Sequence, residues 1–102
     1  MILTIIIPVF NEEKTILQIL KKIEKQIYVK KQIIIVDDLS TDSSRKKINK
    51  FKFKSSNNIL FHTKNNGKGS CIKTAKKYIK GDFVIIQDAD LEYDPNDYKF
   101  FV

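Results

Sequence analysis

Two rhythms of apolar residues alternate along this chain. Ile2-Leu3-Thr4-Ile5-Ile6-Ile7 is a β-branched run of the kind that forms a buried strand, and Pro8, which lacks a backbone N–H, is expected to stop it. Ile16, Ile19, Leu20, Ile23 and Ile27 then recur at helical spacing, with Asn11 as the expected N-cap and Glu12 and Glu13 at the positive helix start. Gln32-Ile33-Ile34-Ile35-Val36 predicts a second strand, and a weaker helical stretch follows over 42–51. After the ordinary loop Lys52-Phe53-Lys54-Ser55-Ser56-Asn57, the run Asn58-Ile59-Leu60-Phe61-His62 predicts a short third strand. Asn65-Asn66-Gly67-Lys68-Gly69-Ser70 opens a third helix whose inner face is expected to be Cys71, Ile72, Ala75, Tyr78 and Ile79, with Gly81 as its C-cap. Asp82-Phe83-Val84-Ile85-Ile86-Gln87 predicts a fourth strand.

Strands that read as continuous apolar runs are buried on both faces, which means a parallel sheet covered by helices. The fold class is therefore α/β: an open, mainly parallel sheet with helices on both faces, Rossmann-like, in a single domain spanning 1–102. Ligands of such sheets sit outside the carboxyl ends of the strands. That rule points to 8–12, 37–42, 62–70 and 88–92, where the polar punctuation lies. Asp94-Pro95 reads as one more helix start, but only Asn96-Asp97-Tyr98-Lys99-Phe100-Phe101-Val102 follows. One turn ending in three apolar residues cannot bury them, so the expectation is a truncated domain.

Charge adds one question. The formal net charge is +7 and the pI about 9.5, carried almost wholly by lysine, with Arg45 the single arginine. A basic balance suits phosphorylated ligands, anionic lipid or nucleic acid. The lysines are scattered, at Lys21, Lys22, Lys25, Lys30, Lys31, Lys46, Lys47, Lys50, Lys76 and Lys77, and read as solvated helix faces. With scattered lysine, one arginine and no aromatic-basic motif, no nucleic-acid partner is expected. The lone Cys71 excludes an internal disulfide and suits a reducing compartment. No signal peptide is visible, and apolar runs of about six residues fall far below the ~20 that span a bilayer. The expectation is a cytoplasmic protein, or a peripheral one at a membrane surface.

The candidate chemistry lies at the strand ends. Asp88-Ala89-Asp90, with Glu92 beyond, follows the fourth strand. Carboxylates one residue apart can converge on a hard cation, Mg²⁺ or Mn²⁺, which prefers oxygen and shares its coordination with phosphates. The bland alternative is a solvated acidic turn. Asp37-Asp38-Leu39-Ser40-Thr41-Asp42 follows the second strand; capping accounts for Ser40, Thr41 and Asp42 but not for two acids closing a buried strand. Pro8-Val9-Phe10-Asn11-Glu12 is weak alone. Gly67-Lys68-Gly69 is either a plain turn or a phosphate cradle with Lys68; it is neither a dinucleotide fingerprint nor a Walker A motif. His62 stands alone beside a strand and reads as a core or surface residue.

In order, these four pieces resemble the family 2 glycosyltransferases of GT-A fold, nearest the dolichol- or polyprenyl-phosphate mannosyl- and glucosyltransferases. The resemblance rests on Ile5 to Glu12, Ile35 to Asp42, Asn66 to Gly69 and Gly81 to Pro95, and spans essentially the whole chain. It implies the nucleotide-sugar-binding half of that fold. Pro8, Phe10, Glu12, Val36 and Asp38 would line the nucleoside pocket, with Lys68, Asp88, Ala89 and Asp90 completing the nucleotide-sugar site. Asp88, Asp90 and Glu92 would hold Mg²⁺ or Mn²⁺. The donor would be a GDP- or UDP-linked sugar, transferred with inversion to an acceptor such as a polyprenyl phosphate. Glu92 stands where relatives often have Gln, Phe10 where Tyr is common, and Leu39 where Gly is common. Acceptor-activating groups would lie outside this chain, and a second chain is one possible source of that half.

Two other classes carry specific features. Ile34-Ile35-Val36-Asp37-Asp38 resembles the acidic pair of a phosphoacceptor receiver domain, although a whole strand–helix unit precedes it and no late-strand lysine is evident. The basic charge alone suggests a nucleic-acid- or membrane-binding module. An inactive remnant would share the fold of the first reading.

Overall fold

The computed structural model describes residues 1–26 and 30–89, so the expectations placed on Ile27, Asp90, Glu92 and the Asp94-Pro95 helix start lie outside it. Strand β1 (Ile2–Val9) leads to helix α1 (Ile16–Glu24), then β2 (Lys30–Asp37), α2 (Ser44–Lys50), β3 (Ser56–Phe61), α3 (Lys68–Ala75) with a 3₁₀ turn at Lys76–Tyr78, and β4 (Phe83–Ile86). The strands form one sheet in the order β3-β2-β1-β4, and every pairing is parallel.

The period-two geometry of the two central strands sorts their apolar runs into two cores. Leu3, Ile5, Ile7 and Val9 of β1, with Ile33 and Ile35 of β2, pack against Ile16, Ile19, Leu20 and Ile23 of α1 and Ile48 of α2. Ile6, Ile34 and Val36 face the other way, onto Cys71 and Ala75 of α3. Helices thus cover both faces, as the continuous apolar runs of β1 and β2 require. The edge strands differ from expectation. Phe83, Val84 and Ile86 of β4 are each about two-fifths exposed or more, because among the described residues β4 lies at the edge of the sheet, without the second neighbour that buries a central strand.

Pro8 does not end its strand. It sits within β1, in register with Val36. The carbonyls of Ile2 and Ile6 accept amides from the β4 side, whereas that of Val9 accepts Asp38 N on the β2 side. The missing N–H of Pro8 therefore faces β4, whose paired residues stop at Ile86 opposite Ile6, so no ladder bond is lost. Helix α3 is shorter than its pattern suggests: Cys71 and Ala75 are buried, Ile72 and Ile79 only partly, and Tyr78 is 39% exposed.

One buried polar hub ties the sheet to the end of α3. Gln32 donates to Tyr78 O (2.6 Å) and Asn58 Oδ1 (3.1 Å), while its Oε1 accepts Thr4 Oγ1 (2.8 Å) and Lys80 N (2.9 Å). Gly81 next to it is not a helix C-cap. A Cβ there would lie 2.4 Å from Thr4 Oγ1 and 2.8 Å from both Ile2 O and Thr4 N, so glycine is required by close approach to β1. Gly69, by contrast, opens onto free space inside α3.

Gly81→Ala is expected to lower the unfolding free energy by about 1–3 kcal/mol, as overpacking does. Gly69→Ala is expected to raise it by about 0.5 kcal/mol through helix propensity. Urea melts of the two variants check this, and shifts of the same sign would contradict the packing assigned to Gly81.

Candidate functional site

The carboxyl ends of β1, β2 and β4 meet the start of α3 around one open cavity. Pro8, Phe10, Glu12, Asp38, Lys68, Asp88 and Ala89 line it, together with Val9 and Cys71. Seven of the residues singled out from the sequence therefore share one wall-to-wall space of about 170 Å³, room for part of a nucleotide sugar rather than the whole. Val36 does not reach it; that side chain is wholly buried beneath, against α3.

The two adjacent acids at the end of β2 have separate jobs. Asp37 is fully buried. Its carboxylate accepts Ser40 N (3.0 Å), Ser40 Oγ (2.5 Å) and Arg45 Nε (2.5 Å), which closes the turn after β2. Arg45 reaches on to His62 O (2.8 Å) and lies 5.0 Å from the centre of the Phe61 ring, a cation–π contact. Asp38 instead points along the cavity wall. Its Oδ1 accepts Asn66 N (2.9 Å) and bonds His62 Nδ1 (2.8 Å), and its Oδ2 accepts Gly67 N (2.7 Å). A carboxylate offers about four acceptor positions, so these three contacts leave one on Oδ2.

His62 is the residue that sequence reasoning missed. It bridges Asp38 and Thr74 Oγ1 (2.8 Å from Nε2), so it orients the acid at the cavity. Nothing local signals this role, because Asp38, His62 and Thr74 come from β2, the end of β3 and α3. Asp38, His62 and Cys71 also present ligand-type atoms within 4.8 Å of one another. The first two are bound to each other, Asp38 also to backbone amides and the His62 ring to Thr74 Oγ1, which accounts for their closeness without an ion. Burial, with Asp38 and Asp37 nearby, pushes the Cys71 thiol up to about 11, so it stays protonated and packs as a small apolar group.

The loops after β1 and β2 lock together. Asn11 does not cap α1, which begins after Thr15. Its Oδ1 accepts Thr41 N (2.7 Å) and Asp42 N (3.3 Å), and its Nδ2 donates to Thr41 Oγ1 (3.1 Å). Glu12 N donates to Ser44 Oγ (2.8 Å) and Glu13 N to Asp42 Oδ2 (3.2 Å). Asn11 and Leu39 both take left-handed backbone, with φ of 53° and 61°. Asn tolerates this readily, whereas Leu39 holds it as strain. Thr15 Oγ1 fastens this cluster to Ala89 O. At the mouth, Lys68 Nζ rests 2.5 Å from Asp88 Oδ1.

The model of the glycosyl transferase family 2 matches residues 4–102. The chain belongs to that family. It is 33% identical to the undecaprenyl-phosphate 4-deoxy-4-formamido-L-arabinose transferase of Proteus mirabilis, over 92% of this chain and 30% of that protein. The crystal structure of S. aureus TarS 1-349 in complex with UDP-GlcNAc superposes with a TM-score of 0.87 at 28% identity, over 99% of this chain and 30% of TarS. The mannosyltransferase PcManGT from Pyrobaculum calidifontis, in complex with GDP-Man and Mn²⁺, gives 0.81 at 28% identity, over 86% of this chain and 27% of that one. The chain spans less than half the length of the curated relatives it matches. The parallel sheet is thus the Rossmann-like part of a family 2 glycosyltransferase. Among the described residues no helix is long and apolar enough to cross a membrane.

Acid exposes how this family 2 site is held. Burial alone would raise the pKa of Asp38, but the amides of Asn66 and Gly67 and the bond to His62 bring it below the ordinary range. Asp42 is lowered in the same way, burial being outweighed by Ser44 and the Glu13 amide. A folded pKa below the unfolded one gives stability that is present above the unfolded value and lost as pH falls through the folded value. Unfolding free energy is expected to drop as pH goes from about 6 to about 3, and less steeply in Asp38→Asn/Asp42→Asn, which starts lower. Urea melts across that range check it; an unchanged slope in the double variant would remove these two acids from the account.

Proposed function

We propose that this chain binds the nucleotide-diphosphate sugar of a glycosyltransferase that passes the sugar, with inversion, to an acceptor such as a polyprenyl phosphate. The observation that carries the reading is the convergence of Pro8, Phe10, Glu12, Asp38, Lys68, Asp88 and Ala89 on one cavity at the carboxyl ends of the strands. Support also comes from relatives and neighbours named as transferring sugars, or held with UDP-GlcNAc or GDP-Man.

Each side chain has a task in this reading. Phe10, 44% exposed, offers a face for the base or ribose, and Pro8 gives a rigid rim. The remaining acceptor position of Asp38 takes an N–H of the base or a ribose hydroxyl, with His62 and the Asn66 and Gly67 amides fixing its orientation. The amide groups at the start of α3 and the ammonium of Lys68 meet the diphosphate. Glu12 lines the cavity from the loop between β1 and α1.

The donor set suits a hard cation, because the Asp88 carboxylate already holds a positive group, Lys68 Nζ, at the mouth. Asp88, with Asp90 and Glu92 from the same motif, would hold Mg²⁺ or Mn²⁺. Such an ion neutralises the charge that builds on a departing diphosphate. In this reading the groups that bind and activate the acceptor are supplied by protein beyond this chain, which works at or near a membrane surface when the acceptor is a lipid phosphate.

Thermal melts with UDP, GDP and their sugars, each with and without Mn²⁺ or Mg²⁺, test the reading. A ligand bound only by the folded state adds ~2.7 kcal/mol at a hundred times its dissociation constant. The melt is expected to rise with one nucleotide, more with metal, and to lose that gain about tenfold in affinity, ~1.4 kcal/mol, in Asp88→Asn. A cooperative melt unmoved by every nucleotide would overturn the proposal.

A further inference from the structure

A second concavity lies at the opposite end of the sheet, where the strands begin. Lys30, Lys31, Lys54, Ser55, Ser56 and Lys80 line a groove of about 410 Å³, within the ~300–1,000 Å³ typical of small-molecule sites. Its cations come from three separate places: Lys30 opens β2, Lys54 precedes β3 and Lys80 precedes β4. The parallel order β3-β2-β1-β4 draws these distant positions into one row along the amino edge.

Two carboxylates border the groove, each bound to groove-lining residues. Glu24 accepts Lys54 N, Ser55 N (2.9 Å) and Ser55 Oγ. Asp82 accepts Ile2 N (2.9 Å). Lys31 Nζ is directed onto Gln26 O. Among the described residues the ion pairs are Arg45–Asp37, His62–Asp38 and Lys68–Asp88, so Lys30, Lys54 and Lys80 have no ion-pair partner there, while Glu24 keeps its charge and acts on Lys31. Four lysines outnumber these two carboxylates, which leaves a net positive field focused in the groove. Strewn over helix faces, the same lysines would cost less.

We propose that this groove is a second anion site, separate from the nucleotide cavity, that takes a ligand carrying two or more phosphoryl groups. Three ammonium groups match the charge of such a ligand, and the hydroxyl of Ser56 adds a donor. Lysine binds phosphate as a point charge and lacks the planar fork that makes arginine the favoured reader of nucleic acid, which favours phosphoryl groups over a nucleic-acid sequence. The phosphoryl groups belong either to a soluble polyphosphorylated molecule or to lipid headgroups at a membrane surface.

Calorimetric titration of the 102-residue chain with inorganic tripolyphosphate tests the site, beside co-sedimentation with vesicles of phosphatidylcholine with and without phosphatidylglycerol. Lys30→Gln/Lys54→Gln/Lys80→Gln is compared with the charge-matched Lys46→Gln/Lys64→Gln/Lys73→Gln and with Lys68→Gln, each confirmed folded by its melt. The groove variant is expected to weaken binding about tenfold or more while the charge-matched one changes it less than about twofold. Groove-dependent binding of tripolyphosphate assigns a soluble ligand; groove-dependent binding of anionic vesicles alone assigns lipid headgroups. Equal weakening by the two triple variants, loss only in Lys68→Gln, or no binding to either probe would overturn the proposal.

Discussion

The carboxylate of Asp38 joins three segments that the chain order keeps apart. It closes β2, receives the amides of Asn66 and Gly67 ahead of α3, and holds the ring of His62 at the end of β3. A buried acid is costly unless such donors surround it. Once they do, the loop before α3 can close in only one way, and Lys68 arrives at the cavity mouth opposite Asp88. Without that carboxylate, two backbone N–H groups would be left beside a cavity with no acceptor, and the start of α3 would lose its anchor. The geometry of the site is thus a consequence of where one buried charge finds its hydrogen bonds.

The neighbouring Asp37 shows how sequence adjacency hides a division of labour. Successive residues of a strand point to opposite sides, so one acid turns into the protein, onto Ser40 and Arg45, while the next turns to the cavity. The same economy governs the first loop. Asn11 and Leu39 adopt left-handed backbone at facing positions, and the side chain of Asn11 spans the gap to Thr41 and Asp42. Strain at Leu39 persists because the surrounding hydrogen bonds over-determine the turn. Rigid loops of this kind hold a cavity open before any ligand arrives, which lowers the ordering cost of binding.

A parallel sheet also gives the molecule two chemically different ends. At the carboxyl end, acids, backbone amides and one lysine surround the cavity. At the amino end, lysines from three elements crowd a groove and outnumber the carboxylates that border it. Because all strands run the same way, residues just before each strand collect on one edge whatever their distance in sequence. A surplus of lysine that looks diffuse along the chain is therefore focused in space.

The sequence by itself determined the α/β class, the central strands and the four polar stretches from which the site is built. Continuous β-branched runs can be satisfied only by burial on both faces, and polar residues at strand ends can gather only at the sheet edge. Tertiary structure decided what local pattern cannot encode. Pro8 continues its strand because its absent N–H faces the side where pairing has ended, and Gly81 is glycine because β1 passes within contact of it. Asn11, chosen by residue type as a helix cap, binds a different loop instead. His62, unremarkable in sequence, becomes the partner of Asp38, and Val36, singled out for the pocket, lies beneath it. In each case the deciding contact is made by residues about 24 or more positions away or across the sheet, and only the folded chain brings those partners within reach.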